Sequence, residues 1–234
     1  MKKIVLVILL FTLSKSQAQF NGVFGKNPII NLENYDKQRV YWGYFLGFNS
    51  SDFQFNYKND FQKDILSESV IGFNVGLVGD LRLHKYINLR FEPGLYYTQR
   101  NLTFPGFTNA YDALREVKST YIHFPLLVKF SSKRFGNVRP YILGGVSTSL
   151  NLASNAEAID DNLDNRFRMH KVTNNYELGF GIDLYFEYFK FSPSIRGVFG
   201  LKDELIRDKD PNSPWTSNIE SMKTRGIFVN FTFH

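Results

Sequence analysis

The sequence predicts an all-β fold: an eight-stranded antiparallel transmembrane β-barrel with short periplasmic turns and long extracellular loops. Three observations carry this. Apolar and polar residues alternate with a period of two in eight stretches, each about as long as a tilted membrane-crossing strand. The face opposite the apolar residues is rich in Gly and in charges of both signs. The links between stretches alternate short and long, which puts every short turn at one end.

The stretches run in order through the chain. The first is Val40 to Asn49, with Trp42, Tyr44, Leu46 and Phe48 on one face. The second is Val70 to Asp80, with Ile71, Phe73, Val75 and Leu77. The third, Tyr86 to Gln99, places Ile87, Leu89, Phe91, Leu95 and Tyr97 together. The fourth, Thr120 to Phe130, aligns Ile122, Phe124, Leu126 and Val128. Val138 to Leu150 and Asn175 to Phe186 follow, then Phe189 to Phe199. The terminal RGIFVNFTFH closes the set with Ile227, Val229, Phe231 and Phe233. A final half-apolar strand is explained if it pairs with the first strand and turns its apolar face to lipid.

The opposite face holds Gly43, Gly47, Gly72, Gly76, Gly94, Gly145, Gly179 and Gly181. Among these stand Arg90, Glu92, Lys129, Arg139, Glu177, Asp183 and Arg196, which are read as a lumen charge network. Eight strands leave room only for side chains to fill the interior, so opposed charges pair there and glycines make space for large residues. The short links are Leu81 to Lys85, Ser131 to Asn137, and Glu187 with Tyr188. The long ones run from Ser50 to Ser69, Arg100 to Ser119, Asn151 to Asn174 and Gly200 to Met222. Pro93, Pro125, Pro140 and Pro193 oppose the reading, since proline removes a ladder donor. Bulges or strand ends are expected there.

Three segments follow. Residues 1–18 have the form of a secretory signal peptide: Lys2 and Lys3, an apolar run from Ile4 to Leu13, then Ser16 and Ala18 at cleavage-site spacing. Residues 19–39 are a periplasmic lead-in without clear period, and 40–234 are the barrel. No later apolar run is long enough for a spanning helix. The expected localisation is the cell outer membrane.

Composition narrows the chemistry. The chain has no Cys, hence no disulfide and no thiolate metal site. Loss of Lys2, Lys3 and Lys15 with the leader takes the 28 basic residues to 25 against 22 acidic, which is no nucleic-acid footprint. His84, His123, His170 and His234 are too scattered for a local metal motif. His123 faces inward by parity and reads as a lumen polar group rather than a hydrolase base. Glu157, Asp160, Asp161 and Asp164 match no defined calcium loop. Catalytic, cofactor-binding and metal-ligating residues are therefore assigned as none.

YIHFPLLVKF (Tyr121 to Phe130) and VRPYILGG (Val138 to Gly145) resemble the outer-membrane barrel domain common in Bacteroidetes. NLENYDKQRVYWGYFLGFNSSDFQFNYK (Asn31 to Lys58) resembles the start of PorT proteins, also called SprT. The resemblance implies a non-enzymatic part in type IX protein secretion, and in gliding motility where present. It brings no catalytic residues. The partners it implies are outer-membrane lipid, lipopolysaccharide and other secretion-system proteins. The alternatives are a generic structural or adhesive barrel, and a lipid A-modifying barrel enzyme.

Overall fold

Every strand of this chain finds a partner on both sides. The computed structural model describes residues 29–58, 64–164 and 166–234, so the expected signal peptide lies outside the described residues. The strands are β1 (Val40–Tyr57), β2 (Leu66–His84), β3 (Ile87–Phe91), β4 (Gly94–Thr103), β5 (Leu114–Ser131), β6 (Val138–Asn151), β7 (Val172–Tyr185), β8 (Lys190–Gly200) and β9 (Ile219–Phe233). All pairings are antiparallel, and the last strand closes on the first through Tyr44 opposite Phe233 and Phe48 opposite Val229. β3 and β4 are halves of one barrel strand, so the ring has eight staves.

The break in that strand accounts for two of the four prolines. Pro93 separates β3 from β4, and the shared register places Pro125 beside it on β5. The Glu92 N–H donates to the Pro125 carbonyl across the gap (3.3 Å), and the Leu77 N–H to the Pro93 carbonyl (2.9 Å). Two missing donors thus share one irregularity. Pro140 is the third residue of β6, near its end. Pro193 sits where the β7–β8 ladder skips from Gly181–Ser194 to Leu184–Phe191.

Side-chain alternation sorts the wall into two chemistries. Trp42, Ile71, Leu77, Ile142, Leu178, Phe180 and Ile227 point outward and are exposed. Asp80, Arg90, Lys129, Glu177, Asp183 and Arg196 point inward and are buried. Such inversion is opposite to a water-soluble sandwich and fits a wall solvated by hydrocarbon. Outward rings stack along it, including Tyr44 on Phe233 (5.4 Å) and Tyr176 on Phe199 (5.1 Å). Inward glycines give the space expected of them: Tyr141 lies over Gly181, and Phe45 across Gly76 and Gly94.

The strands overrun the apolar stretches. β1 has 18 residues, against the roughly 9–11 that a tilted strand needs to cross hydrocarbon. After Phe48 its outward positions become Ser50, Asp52, Gln54 and Asn56, and β5 similarly carries Thr120, Lys118 and Glu116. The excess raises the sheet roughly 15–20 Å above the apolar band. The long links are accordingly shorter than expected, 58–65, 104–113, 152–171 and 201–218, and the links at the other end are 85–86, 132–137 and 186–189. The sheet outlasts the apolar alternation because outward residues above the band meet water, while the ladder bonds do not depend on them.

Candidate functional site

Two features could do work: the charged interior and the surface built by the long loops. The interior begins with Arg90 on β3. Its guanidinium forks the Asp80 carboxylate, Nε to Oδ1 at 2.9 Å and Nη2 to Oδ2 at 2.6 Å, and its Nη1 reaches Glu92 at 3.1 Å. Glu92 in turn meets Arg196 (2.8 Å), and Arg196 meets Glu177 (3.2 Å). Lys129 binds both oxygens of Asp183 at 2.8 Å, and Ser192 Oγ donates to the same carboxylate. The Tyr141 ring lies under both the Lys129 ammonium (3.9 Å) and the Arg90 guanidinium (5.6 Å), linking the two groups. Arg139 stands apart near the short turns. It pairs with Asp36 at 3.4 Å and donates to the Ser132 and Lys85 carbonyls.

Of the residues read from sequence as a lumen network, Arg90, Glu92, Lys129, Glu177, Asp183 and Arg196 are thus gathered, and Arg139 serves the rim. Asp80 belongs with them and escaped the reading. It closes the apolar alternation of β2, and only the cross-strand register reveals Arg90 as its partner.

His123 Nε2 lies 2.7 Å from Glu177 Oε1, and its Nδ1 lies 2.7 Å from Ser149 Oγ. Hydroxyl, imidazole and carboxylate in line have the order of a hydrolytic triad. The adjoining cavity, however, measures about 30 Å³, room for water and not for an acyl chain. Glu177 is also tied to Arg196, and Asn175 donates to Ser149 Oγ at 3.1 Å. The trio therefore packs the lumen.

The long-loop end is a folded cap. Inward residues Phe53, Leu102, Val117, Ile219 and Met222 form one apolar cluster with Phe104, Phe167, Met169, Leu205 and Trp215 from the loops. Met169 bridges to Leu205, which joins the third long loop to the fourth. Asp208 holds the joint: it accepts from Asn162 Nδ2 (2.9 Å), Ser213 Oγ (2.6 Å) and Thr216 Oγ1 (3.1 Å). Arg115 then donates to Asn162, and Trp215 Nε1 to the Asp112 carbonyl (3.0 Å). In the third loop, Asp161 accepts from the Leu163 and Lys209 N–H groups. Among the described residues no acidic group is arranged to hold a metal. Burial of Glu204, in the fourth loop, raises its carboxyl above the usual range, although the Thr224 N–H and hydroxyl donate to it.

The other end is covered by Ile29–Lys37. Asn137 accepts from the Asn31 N–H (2.9 Å) and donates to the Ile29 carbonyl (2.8 Å), Arg134 donates to the Asn31 carbonyl, and the Tyr185 hydroxyl donates to Asp36 (2.8 Å).

A closed antiparallel ring with an apolar exterior and a paired, charged interior defines a membrane β-barrel. The chain belongs to the outer membrane protein β-barrel domain family, whose profile matches residues 17–205. It is an outer-membrane protein. No curated protein matches the chain. Solved structures similar to it include outer membrane protein OprG from Pseudomonas aeruginosa, at 13% identity and TM-score 0.46, over 83% of this chain and 95% of that one. Neisserial surface protein A is similar at 7% identity and TM-score 0.45, over 83% and 98%. The attachment invasion locus protein Ail of Yersinia pestis, in complex with a heparin analogue, is similar at 12% identity and TM-score 0.39, over 84% and 99%.

Proposed function

We propose that this chain is a non-enzymatic outer-membrane component that supports type IX secretion, with its short turns in the periplasm and its cap outside. The observation behind the reading is that the lumen is obstructed along its length. A packed apolar cap covers one end, paired charges fill the middle, and Ile29–Lys37 covers the other. Such a barrel conducts neither folded cargo nor an extended chain, so its work falls to outer surfaces. The likeness of Asn31 to Lys58 to PorT proteins supplies the machinery it would serve. Cap and wall would contact lipopolysaccharide and other secretion proteins as an accessory to assembly.

Deletion of the gene, with exported cargo quantified outside the cell, tests this. Cargo should stay cell-associated and return to the medium when the wild-type chain is restored. Complementation by a folded Asp208→Ala variant should be weaker, because it loosens the cap. A deletion strain that exports cargo normally would overturn the secretion role and favour a general structural or adhesive barrel.

A further inference from the structure

At the short-turn end one cluster of Lys and Arg side chains has no carboxylate partner among the described residues. A groove of about 590 Å³ opens between the start of β1 and the end of β2, lined by Lys37, Arg39, Arg82, His84 and Lys85, with Leu81 and Leu83 on its wall. Among the described residues, none of these four Lys and Arg side chains has an acidic partner. Lys37 Nζ donates to Asn34 Oδ1 (2.8 Å), Arg82 Nη1 donates to the Lys37 carbonyl (3.1 Å), and the Lys85 ammonium lies 5.4 Å from the Tyr86 ring. Asp36, the nearby carboxylate, is held by Tyr185 and Arg139 instead. Arg90, Lys129 and Arg196 in the lumen, by contrast, sit against carboxylates.

Leu81 on the groove wall lies at the end of the outward row of β2 that carries Ile71 and Leu77. Leu83 is 58% exposed and Trp42 is 75% exposed, the latter resting over Gly79 on the same strand pair. Cations therefore meet apolar side chains where hydrocarbon gives way to water. Aromatic rings at that level favour the headgroup region, and guanidinium groups fork phosphate oxygens.

We infer that this groove binds the phosphate headgroup of an anionic glycerophospholipid, with Arg39, Arg82 and Lys85 on the phosphate and an acyl chain along Leu81, Leu83 and Trp42. The apolar wall selects a lipid over a free anion. Charge complementarity selects an anionic lipid over a zwitterionic one. The inference rests on the wall facing hydrocarbon.

Native mass spectrometry of the full chain, released from detergent containing phosphatidylglycerol or phosphatidylcholine, tests it. Phosphatidylglycerol should be retained at least fivefold better. Arg39→Gln, Arg82→Gln and Lys85→Gln should each lower that preference about fivefold, the ratio expected for one cation near an anionic surface. Lys202→Gln at the opposite end should leave it unchanged. Heat-modifiable mobility in gels verifies folding, and Lys85→Gln, in the exposed turn, keeps the test available if an arginine variant fails to fold. Equal retention of the two lipids, or unaltered preference in folded variants, would overturn the inference. So would glycerol phosphate binding as well as the lipid, or an acidic peptide displacing the lipid. A chain whose wall did not face lipid would retain neither phospholipid, which separates that failure from this one.

Discussion

Arg196→Met isolates what the interior network contributes. Arg196 is 1% exposed and holds Glu92 at 2.8 Å and Glu177 at 3.2 Å, both carboxylates being almost wholly buried. Removing one partner of a buried pair costs about 3–5 kcal/mol, because the other charge remains without water or counter-ion. Glu92 keeps Arg90 at 3.1 Å and Glu177 keeps His123 at 2.7 Å, so the lower end applies. The expected loss is about 3 kcal/mol, more than a hundredfold in the unfolding equilibrium. Urea titration of the chain refolded into lipid vesicles measures it, with gel mobility of unheated samples reporting the folded fraction. Adding Glu92→Gln and Glu177→Gln to Arg196→Met should recover most of the loss, since the carboxylates that lost Arg196 are then uncharged and Arg90 keeps Asp80. A loss below about 1 kcal/mol, or additive losses across the three substitutions, would refute the argument that pairing holds this lumen.

Other substitutions address the two ends. Asp208→Ala removes the acceptor shared by Asn162, Ser213 and Thr216. It should cost about 2 kcal/mol, shift Trp215 emission to the red in a Trp42→Phe background, and admit protease at 201–218. Glu204 has a raised folded carboxyl pKa, so its protonated form suits the cap. Its stabilising contribution is complete below the unfolded carboxylate range and is lost as pH rises through the folded value. Glu204→Gln should therefore abolish the part of cap protection from protease that declines from acid to neutral pH. Asn137→Ala breaks the tie to Ile29 and Asn31 and should expose residues 29–39 to limited proteolysis while the barrel stays folded; unchanged protection would count against that docking.

The membrane part of the fold was legible because lipid imposes a strict rule on alternate residues. Val40 to Asn49 and Asn175 to Phe186 show the period directly, and the alternation of short and long links orders the strands. The extension of β1 to Tyr57 was not legible. Outward Ser50, Asp52, Gln54 and Asn56 look like loop residues once the wall meets water, although inward Ser51 and Phe53 continue the pattern. The cap left a fainter trace. Phe167, Met169, Leu205 and Trp215 are isolated apolar residues in polar segments, and no period marks residues brought together from separate loops. Glu92 and Arg196 could be placed inside by parity, but their mutual contact depends on ring closure. The docking of residues 29–37 rests mainly on backbone carbonyls and amides, which carry no residue signature.

The orientation of the two sheet faces decides most. The chain has no cysteine, so single-Cys spin labels can be placed without background. Labels at Leu46, Phe180 and Ile195 should be reached readily by oxygen dissolved in the bilayer and poorly by a water-soluble nickel chelate. Labels at Asp52 and Lys118, above the apolar band, should show the reverse, and one at Ser147 should be shielded from both. Chelate access at Leu46, Phe180 and Ile195 equal to that at Asp52 would contradict a hydrocarbon-facing wall.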